Sequence, residues 1–301
     1  MTSASIRRKP DWLLSRHLPW TDRTGRLICL KLGVFLALLA PALLLLFDSA
    51  ADALGARPWE AATHRAGWWS VTFLMLSLAV TPVRRILRWG ELMTVRRMIG
   101  VTVFLAAMLH LTLYAGMQSW NLPKLASEIA LRIYLTIGFV ALLGLGALAA
   151  TSTDGMVRRL GGRRWRILHQ LVYPIALLAL VHFFLQSKND VTEPILFAGF
   201  FAWLMGYRLW HWRFGPPAPS GLAILALAAA ISTAAGEIAC LSLKYPVTPW
   251  VMLKAHFDFG AGLRPAWWVV LVGSALAVAA EIRRPKARLD LEPALPPDSR
   301  P

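Results

Sequence analysis

The sequence predicts an all-α integral membrane protein with eight membrane-spanning helices. Of its 301 residues, 57% are hydrophobic and only 16% are charged, which is far more apolar than a soluble domain of this length. A helix needs about 20 mostly apolar residues to cross a bilayer, and such stretches recur along the chain. The predicted spans are residues 27–47, 66–83, 98–117, 133–151, 167–186, 194–210, 218–243 and 265–280.

The distribution of lysine and arginine predicts the orientation of these spans. If the amino terminus is cytoplasmic, 23 Lys and Arg residues fall on the cytoplasmic side and 8 fall on the opposite side. This asymmetry is the positive-inside bias, so we expect both termini in the cytoplasm. The net charge of +16 does not indicate nucleic acid binding, because the basic residues lie between apolar spans rather than on one solvated surface.

The chain divides into four regions in order. Residues 1–26 form a cytoplasmic segment in which the stretch from Pro10 to Trp20 favours a short helix at the lipid interface, with disorder as the alternative. Residues 27–213 hold six spans, and residues 214–284 hold two additional C-terminal transmembrane helices. Residues 285–301 are rich in proline and charge, which predicts a disordered cytoplasmic tail.

Three histidines lie inside predicted spans, where an ionisable side chain is costly and functional by default. His110 is thirteen residues beyond Arg97 in the third span, and His182 is thirteen residues beyond His169 in the fifth. Thirteen helical residues rise about 20 Å. Because both spans run outward, we expect His110 and His182 to reach the same depth in the outer half of the membrane.

Two imidazoles at one depth on two helices can ligate a haem iron from opposite faces, in a pocket that a helical bundle provides. We therefore predict a bis-histidine haem at His110 and His182. His169 predicts a second haem near the cytoplasmic face, where Arg97 stands opposite it and can pair with a propionate. His64, at the outer edge of the second span, is a further candidate ligand. The alternative for each histidine is a hydrogen-bonded packing residue or a proton relay.

The other polar positions give weaker signals. Glu237 in the seventh span either joins a proton path or belongs to a polar helix face with Ser232 and Thr233. His211 and His256 lie at interfaces or in loops, where solvated histidines are expected. No Ser/His/Asp set, cysteine metal spacing or glycine-rich phosphate loop appears, and the loops are too short for a catalytic domain. An electron-transfer subunit is therefore favoured over a self-contained enzyme.

Four segments together resemble a known family: "LAVTPVRR" at 78–85, "RRMIGVTVFLAAMLHLTLYA" at 96–115, "ALAATST" at 147–153 and "RRWRILHQLVYPIALLALVHFFLQSK" at 163–188. Over about residues 20–213 the chain resembles the MsrQ family, the haem-bearing membrane subunits of periplasmic methionine sulfoxide reductase systems, within the ferric-reductase-like transmembrane superfamily. The resemblance implies a six-helix haem b core in the bacterial inner membrane. The family's haem histidines fall on His110, His169 and His182, and "HRAG" at 64–67 looks like the family's second span, which includes His64.

The resemblance also implies partners and cofactors. Electrons would come from the quinol pool or a cytoplasmic flavin reductase, with one or two haems and bound FMN, and would pass to a periplasmic MsrP-like molybdenum enzyme that reduces oxidised methionines. The last two spans extend beyond the family core, and they either dock the periplasmic partner or pack on the bundle.

Two rival functions stay open. One is a ferric reductase or another transmembrane oxidoreductase of the same superfamily, which would use a separate flavoprotein donor. The other is a proton-coupled transporter, for which an intramembrane carboxylate, Glu237, is the only indication.

Overall fold

The computed structural model describes residues 18–22, 24–188 and 190–283, which fold into a bundle of helices. Most of the predicted interfacial helix and the whole tail at 285–301 lie outside the described residues. The α-helices of the described part are α1 (Cys29–Ala50), α2 (Pro58–Ile86), α3 (Arg96–Met117), α4 (Leu122–Leu131), α5 (Ile133–Ala150), α6 (Asp154–Leu160), α7 (Gly162–Gln170), α8 (Val172–Gln186), α9 (Thr192–Phe214), α10 (Pro219–Lys244), α11 (Pro249–Ala255) and α12 (Pro265–Ile282).

Seven segments of the described chain are long and apolar enough to cross a membrane: α1, α2, α3, α5, the stretch formed by α7 and α8, α10 and α12. The predicted sixth span is also a helix, the 23-residue α9, which carries Glu193, Arg208 and Arg213 and is not among the seven. The prediction of an all-α, multi-pass membrane protein is confirmed.

Two spans differ from their predicted bounds for reasons that the backbone explains. The second helix begins at Pro58 rather than near residue 66, because proline at the first helical position lacks only an N–H that would be unpaired anyway. The fifth span is broken at Leu171, between α7 and α8. Pro174 causes this break, since its ring removes the N–H that would bond the Gln170 carbonyl and clashes with that carbonyl.

Helix α2 lies at the centre of the bundle. Its membrane-length window is 44% buried, against 17–28% for the other six candidate spans. Helices α3, α9 and α1 pack around it, and α5 pairs with α8 on the far side of α3. The additional helices α10 and α12 pair with each other and lie mainly against α9. The histidine-bearing helices α3 and α8 therefore belong to two helix pairs, α2–α3 and α5–α8, which face each other.

Arg84, Arg96, Arg97 and Arg208 lie at one end of the bundle, which we call the arginine-rich end and which the sequence predicts to be cytoplasmic. At this end Arg208 links α9 to α2. Pro82 sits inside α2 and cannot donate to the carbonyl of Leu78 one turn earlier. Arg208 Nη2 donates to that carbonyl at 2.5 Å, so a side chain from another helix satisfies a backbone group that has no partner in its own helix.

Candidate functional site

His110 is held between α3 and α2. Its Nδ1 atom lies 2.8 Å from the carbonyl oxygen of Thr63 on α2. A carbonyl only accepts hydrogen bonds, so Nδ1 carries the proton and donates it. In the neutral ring, Nε2 is then the nitrogen with a free lone pair, as a metal ligand requires. Gly67 makes room for the ring, because a Cβ at this position would lie 2.9 Å from His110 Nδ1.

His182 is held in the same way between α8 and α5. Its Nδ1 donates to the carbonyl oxygen of Tyr134 at 2.7 Å, and a Cβ on Gly138 would lie 2.7 Å from the same nitrogen. In both arrangements the glycine follows the accepting residue by four positions, which is about one helical turn. The same construction of carbonyl, glycine notch and imidazole therefore occurs twice, once in each of the two facing helix pairs.

The two imidazoles meet across the bundle. Their ring centroids are 6.3 Å apart and their planes are inclined by 81°. Two imidazoles that share one metal ion at bond lengths of about 2 Å have centroids roughly 6 Å apart, so the pair fits bis-histidine ligation. Neither Nε2 has a hydrogen-bond partner among the described residues. We call His110 and His182 the histidine pair.

His169 is not brought to the histidine pair. It lies at the end of α7, where its ring stacks on Trp165 with centroids 4.0 Å apart. Its Nε2 is 3.2 Å from the hydroxyl of Thr151, and Arg96 and Arg97 are within electrostatic range. In the described part of the chain, no second imidazole stacks on or opposes this ring.

The structure separates two other predicted site residues from the histidines. Arg97 forms an ion pair with Asp154, with Nη1 and Oδ1 2.5 Å apart, and both side chains are well exposed. His64 is also exposed, although it is in α2 next to Thr63 and within electrostatic range of His110. Both positions stay predictions as cofactor contacts.

A cavity of about 520 Å³ lies beside the histidine pair, between α1, α2 and α3. Its walls are almost entirely apolar, with the ion pair of Asp48 and Arg65 at one end. Ala66 lines this cavity, whereas the next residue, Gly67, faces His110. Helix α2 thus separates the cavity from the histidine pair.

A second buried polar cluster lies in the additional C-terminal helices. Glu237 is 1% exposed, and its carboxylate lies 2.9 Å from Arg264 Nη1 and 3.3 Å from His256 Nε2. His256 Nδ1 lies 2.9 Å from the Met252 carbonyl, and Trp267 donates to the His256 carbonyl. The expectation that His256 is solvated is wrong. This residue lies in the connection between α10 and α12, and its side chain is buried against Glu237.

Sequence reasoning missed the groups that position the histidines. The accepting groups at Thr63 and Tyr134 are backbone carbonyls, and any residue type would supply them. Gly67 and Gly138 did leave a signal, since a glycine inside an apolar helix often marks a close approach of another group. Their distance from His110 and His182 along the chain hides which group approaches them.

A known family matches part of the chain. The family described as "Ferric reductase like transmembrane component" matches residues 66–180, a range that includes His110 and His169 and ends just before His182. No solved structure matches the chain.

Three curated relatives match this chain over most of their own length. The chain is 43% identical over 189 residues to the protein-methionine-sulfoxide reductase heme-binding subunit MsrQ of Rhodospirillum rubrum. The aligned region covers 62% of this chain and 88% of that protein. It is 42% identical over 192 residues to the proteins of the same name from Xanthomonas campestris and Xanthomonas oryzae, with 61% of this chain and 87% of each relative covered.

Proposed function

The chain belongs to the MsrQ family of heme-binding subunits of protein-methionine-sulfoxide reductases, and we propose that it carries electrons across the bacterial inner membrane to a periplasmic reductase of oxidised methionines. It is a multi-pass transmembrane haem-binding subunit for electron transfer. The proposed recipient is a molybdenum-containing enzyme of the MsrP type.

The histidine pair is the observation that carries this proposal. Two imidazoles whose Nδ1 atoms donate to carbonyls, and whose ring centroids are 6.3 Å apart, suit a pair of ligands for one haem b. Haem bound there would supply reversible one-electron chemistry. His110 and His182 would hold the iron, while the carbonyls of Thr63 and Tyr134 fix the ring orientations and would raise the basicity of the ligating nitrogens.

The orientation that we propose follows from charge. The arginine-rich end faces the cytoplasm under the positive-inside bias. The histidine pair then lies nearer the periplasmic end, because α3 runs from Arg96 at the arginine-rich end toward Met117 and His110 is in its second half. Electrons leave the protein from this end toward the periplasmic partner.

Two donors are compatible with the structure, and each has its own support. The apolar cavity between α1, α2 and α3 is of a size and character that suits part of a lipid-soluble quinol. The arginine-rich end suits an acidic flavin reductase or the phosphate of a bound FMN. Rapid mixing of the oxidised protein with a quinol, or with a reduced flavin reductase, will show which donor reduces the haem at a rate that supports turnover.

Haem spectra of the purified protein test the central proposal. We expect a pyridine haemochrome spectrum of haem b in the wild type, and its loss in His110→Ala and in His182→Ala. The matched control is His211→Ala, a histidine on α9 whose ring lies beside Tyr207. A folded protein that is colourless after growth with ample haem, or a His110→Ala variant with wild-type haem content, would contradict the proposal.

The periplasmic partner is tested separately. Vesicles that contain the protein and an internal electron donor should support the reduction of protein-bound methionine sulfoxide by an added MsrP-type enzyme. Vesicles with His182→Ala should not. If the haem is reduced but the added enzyme receives no electrons, the haem assignment stands and the partner is wrong.

The match to the ferric-reductase-like family favours one alternative, the reduction of external Fe³⁺ with a separate flavoprotein donor. The same vesicles, with a chelated ferric salt outside, test this alternative. No specific observation favours the transporter alternative, for which Glu237, paired with Arg264 and His256 in the C-terminal helices, was the only indication.

A further inference from the structure

The connection between α10 and α12 lies at the end of the bundle opposite the arginine-rich end. Helix α9 ends at Phe214 at the arginine-rich end, and α10 begins close by at Pro219. The 26 residues of α10 rise about 39 Å, which is enough to cross the bundle. At the far end, Lys244 Nζ donates to the backbone carbonyl of Lys188, just after α8. Because α10 and α12 are both long and apolar enough to span a membrane, both ends of the connection are tied to the membrane surface.

Buried polar contacts fix the inner face of this connection. His256 is buried, with its Nδ1 2.9 Å from the Met252 carbonyl and its Nε2 3.3 Å from the Glu237 carboxylate. Trp267 Nε1 donates to the His256 carbonyl at 2.7 Å, and Arg264 Nη1 lies 2.9 Å from Glu237. Separating these groups would leave the buried Glu237 charge without its partners, which is strongly unfavourable. The contacts therefore determine which side of the connection faces outward.

The outward side of α11 and of the turn after it is apolar. Trp250, Leu253 and Phe257 follow each other at intervals of three and four residues, which places them on one side of a helix. All three are exposed, Trp250 by 63% and Phe257 by 65%. Met252 and His256 lie on the other side and are partly or fully buried. The short helix α11 is thus amphipathic, with its apolar side turned away from the bundle.

Lys254 extends along this outward side. Its Nζ lies 5.3 Å from the centroid of the Trp250 ring. Phe259, in the next turn, is also exposed. Lysine covers apolar surface with its stem and keeps its ammonium group in water or among headgroups. Tryptophan and phenylalanine together with lysine are the side chains that helices at a membrane surface present to lipid.

Lipid explains this surface better than a soluble protein does. Exposed apolar side chains continue from the connection into both spans, at Leu243 in α10 and at Trp268 in α12. A large exposed apolar patch marks a contact with protein or with membrane. A partner that binds and leaves would return the aromatic rings to water after each encounter, whereas lipid covers them at all times.

We infer that α11 is an interfacial helix that lies in the headgroup layer of the leaflet at the histidine-pair end. Trp250, Leu253 and Phe257 enter the boundary of the acyl chains, and Lys254 stays among the headgroups. The connection anchors the C-terminal helix pair to this leaflet. A soluble partner then docks on the connections of the core helices and not on α11. The inference is independent of haem ligation.

Spin labels in lipid nanodiscs test this placement. Trp250→Cys and Phe257→Cys are made and labelled in a background that carries Cys29→Ala and Cys240→Ala, which removes the two native cysteines. The matched control is Arg57→Cys, because Arg57 is well exposed in the α1–α2 connection at the same end of the bundle. Electron paramagnetic resonance then measures collisions of each label with oxygen, which concentrates in lipid, and with a nickel chelate, which stays in water.

We expect the ratio of oxygen to nickel collisions at positions 250 and 257 to exceed the ratio at position 57 about threefold or more, because an interfacial helix buries its apolar side about 5–10 Å deep. Equal ratios at the three positions would overturn the inference, since the outward side of α11 would then be in water. If one substitution prevents insertion, the other reports the same side of the helix.

A second result would also overturn it. Labels at positions 250 and 257 that are in water in nanodiscs, and that lose mobility only when a soluble MsrP-type enzyme is added, would assign this surface to the protein partner. The haem spectrum of each labelled preparation reports the histidine pair separately, so failure of this inference and failure of the proposed function are distinguishable.

Discussion

His169 and His182 lie in one stretch of chain, near opposite ends of the bundle, and their surroundings differ. The Nδ1–H of His182 donates to the Tyr134 carbonyl, and the ring faces a second imidazole whose centroid is 6.3 Å away. His169 stacks on Trp165, and its Nε2 lies 3.2 Å from the Thr151 hydroxyl. Two neighbours therefore make an intramembrane histidine a candidate metal ligand: a carbonyl that fixes its tautomer and a second imidazole that faces its free nitrogen.

The surroundings differ as much as the rings do. Aromatic side chains extend from the residue after His182, with the rings of Phe183 and Phe197 6.1 Å apart and those of Phe197 and Trp68 5.8 Å apart. His169 instead has the positive charges of Arg96 and Arg97 within electrostatic range. The apolar region suits a macrocycle, and the charged region suits an anion.

The glycine notches give the largest expected effect on the histidine pair. Gly138→Ala would place a Cβ 2.7 Å from His182 Nδ1, so the ring must move and its bond to the Tyr134 carbonyl must lengthen. Loss of such an outer contact typically lowers metal affinity about 10- to 100-fold. We expect a fall of this size in haem affinity, measured by titrating haem into the apoprotein.

Gly100→Ala is the matched control for this change. It is on α3, and its Cβ would meet only Ser77 Oγ at 3.7 Å, an ordinary contact distance. Gly67→Ala, at 2.9 Å from His110 Nδ1, should resemble Gly138→Ala. Equal haem affinity for Gly138→Ala and Gly100→Ala would show that the notch does not position the ring.

Much of the fold could be predicted from the sequence, because the bilayer imposes a simple length and polarity rule on each span. Matched residue counts along two helices that were predicted to run in the same direction also placed His110 and His182 at one depth, and the structure brings these two residues together. Counting could not reveal the break at Leu171, since it needs the local effect of Pro174 on the Gln170 carbonyl.

The contacts at the arginine-rich end were harder to predict, for a physical reason. Residue counting placed Arg97 opposite His169, but a helix presents neighbouring residues on faces about 100° apart. Arg97 points to Asp154, and Arg96 is the residue that lies within electrostatic range of Arg84 and Arg208. The burial of His256 against Glu237 depends on how a connection folds back, which spacing along the chain does not encode.

Arg208→Gln tests whether the two ends are mechanically independent. The change leaves the Leu78 carbonyl without a donor, at a cost of about 1–3 kcal/mol. For a domain of 150–250 residues, each kcal/mol corresponds to roughly 2–4 °C in apparent Tm. We expect a lower Tm in detergent with an unchanged haem spectrum, because the histidine pair is remote from Arg208.

A double-mutant cycle identifies the cause of this loss. Pro82→Ala restores a backbone N–H one turn after Leu78, so the carbonyl gains a donor in its own helix. Arg208→Gln should then cost less in the Pro82→Ala background than in the wild type. Equal costs in both backgrounds would mean that Arg208 stabilises the protein through Tyr173 or Leu204 instead.

His169→Ala should affect the haem far less than His182→Ala. The ring is engaged by Trp165 and Thr151, and no imidazole opposes it in the described residues. We expect one haem per chain in both the wild type and His169→Ala, measured as the ratio of pyridine haemochrome to protein. A wild-type ratio near two that falls to one in the variant would place a second haem at His169 and make the two ends alike.

Arg97→Gln should have the smallest effect of all. The ion pair with Asp154 has side chains that are 48% and 62% exposed, so it contributes at most about 1 kcal/mol. Any shift in apparent Tm should disappear in 1 M salt, where screening acts within about 3 Å.

Arg97→Gln also tests the predicted contact of Arg97 with a haem propionate. If Arg97→Gln leaves the haem content and the haem reduction potential unchanged, Arg97 is an exposed partner of Asp154. If it shifts the potential or lowers the content, Arg97 contacts a propionate, as the sequence predicts, and the anion beside His169 is haem. The charge of Arg97 would then belong to the same electron path as the histidine pair.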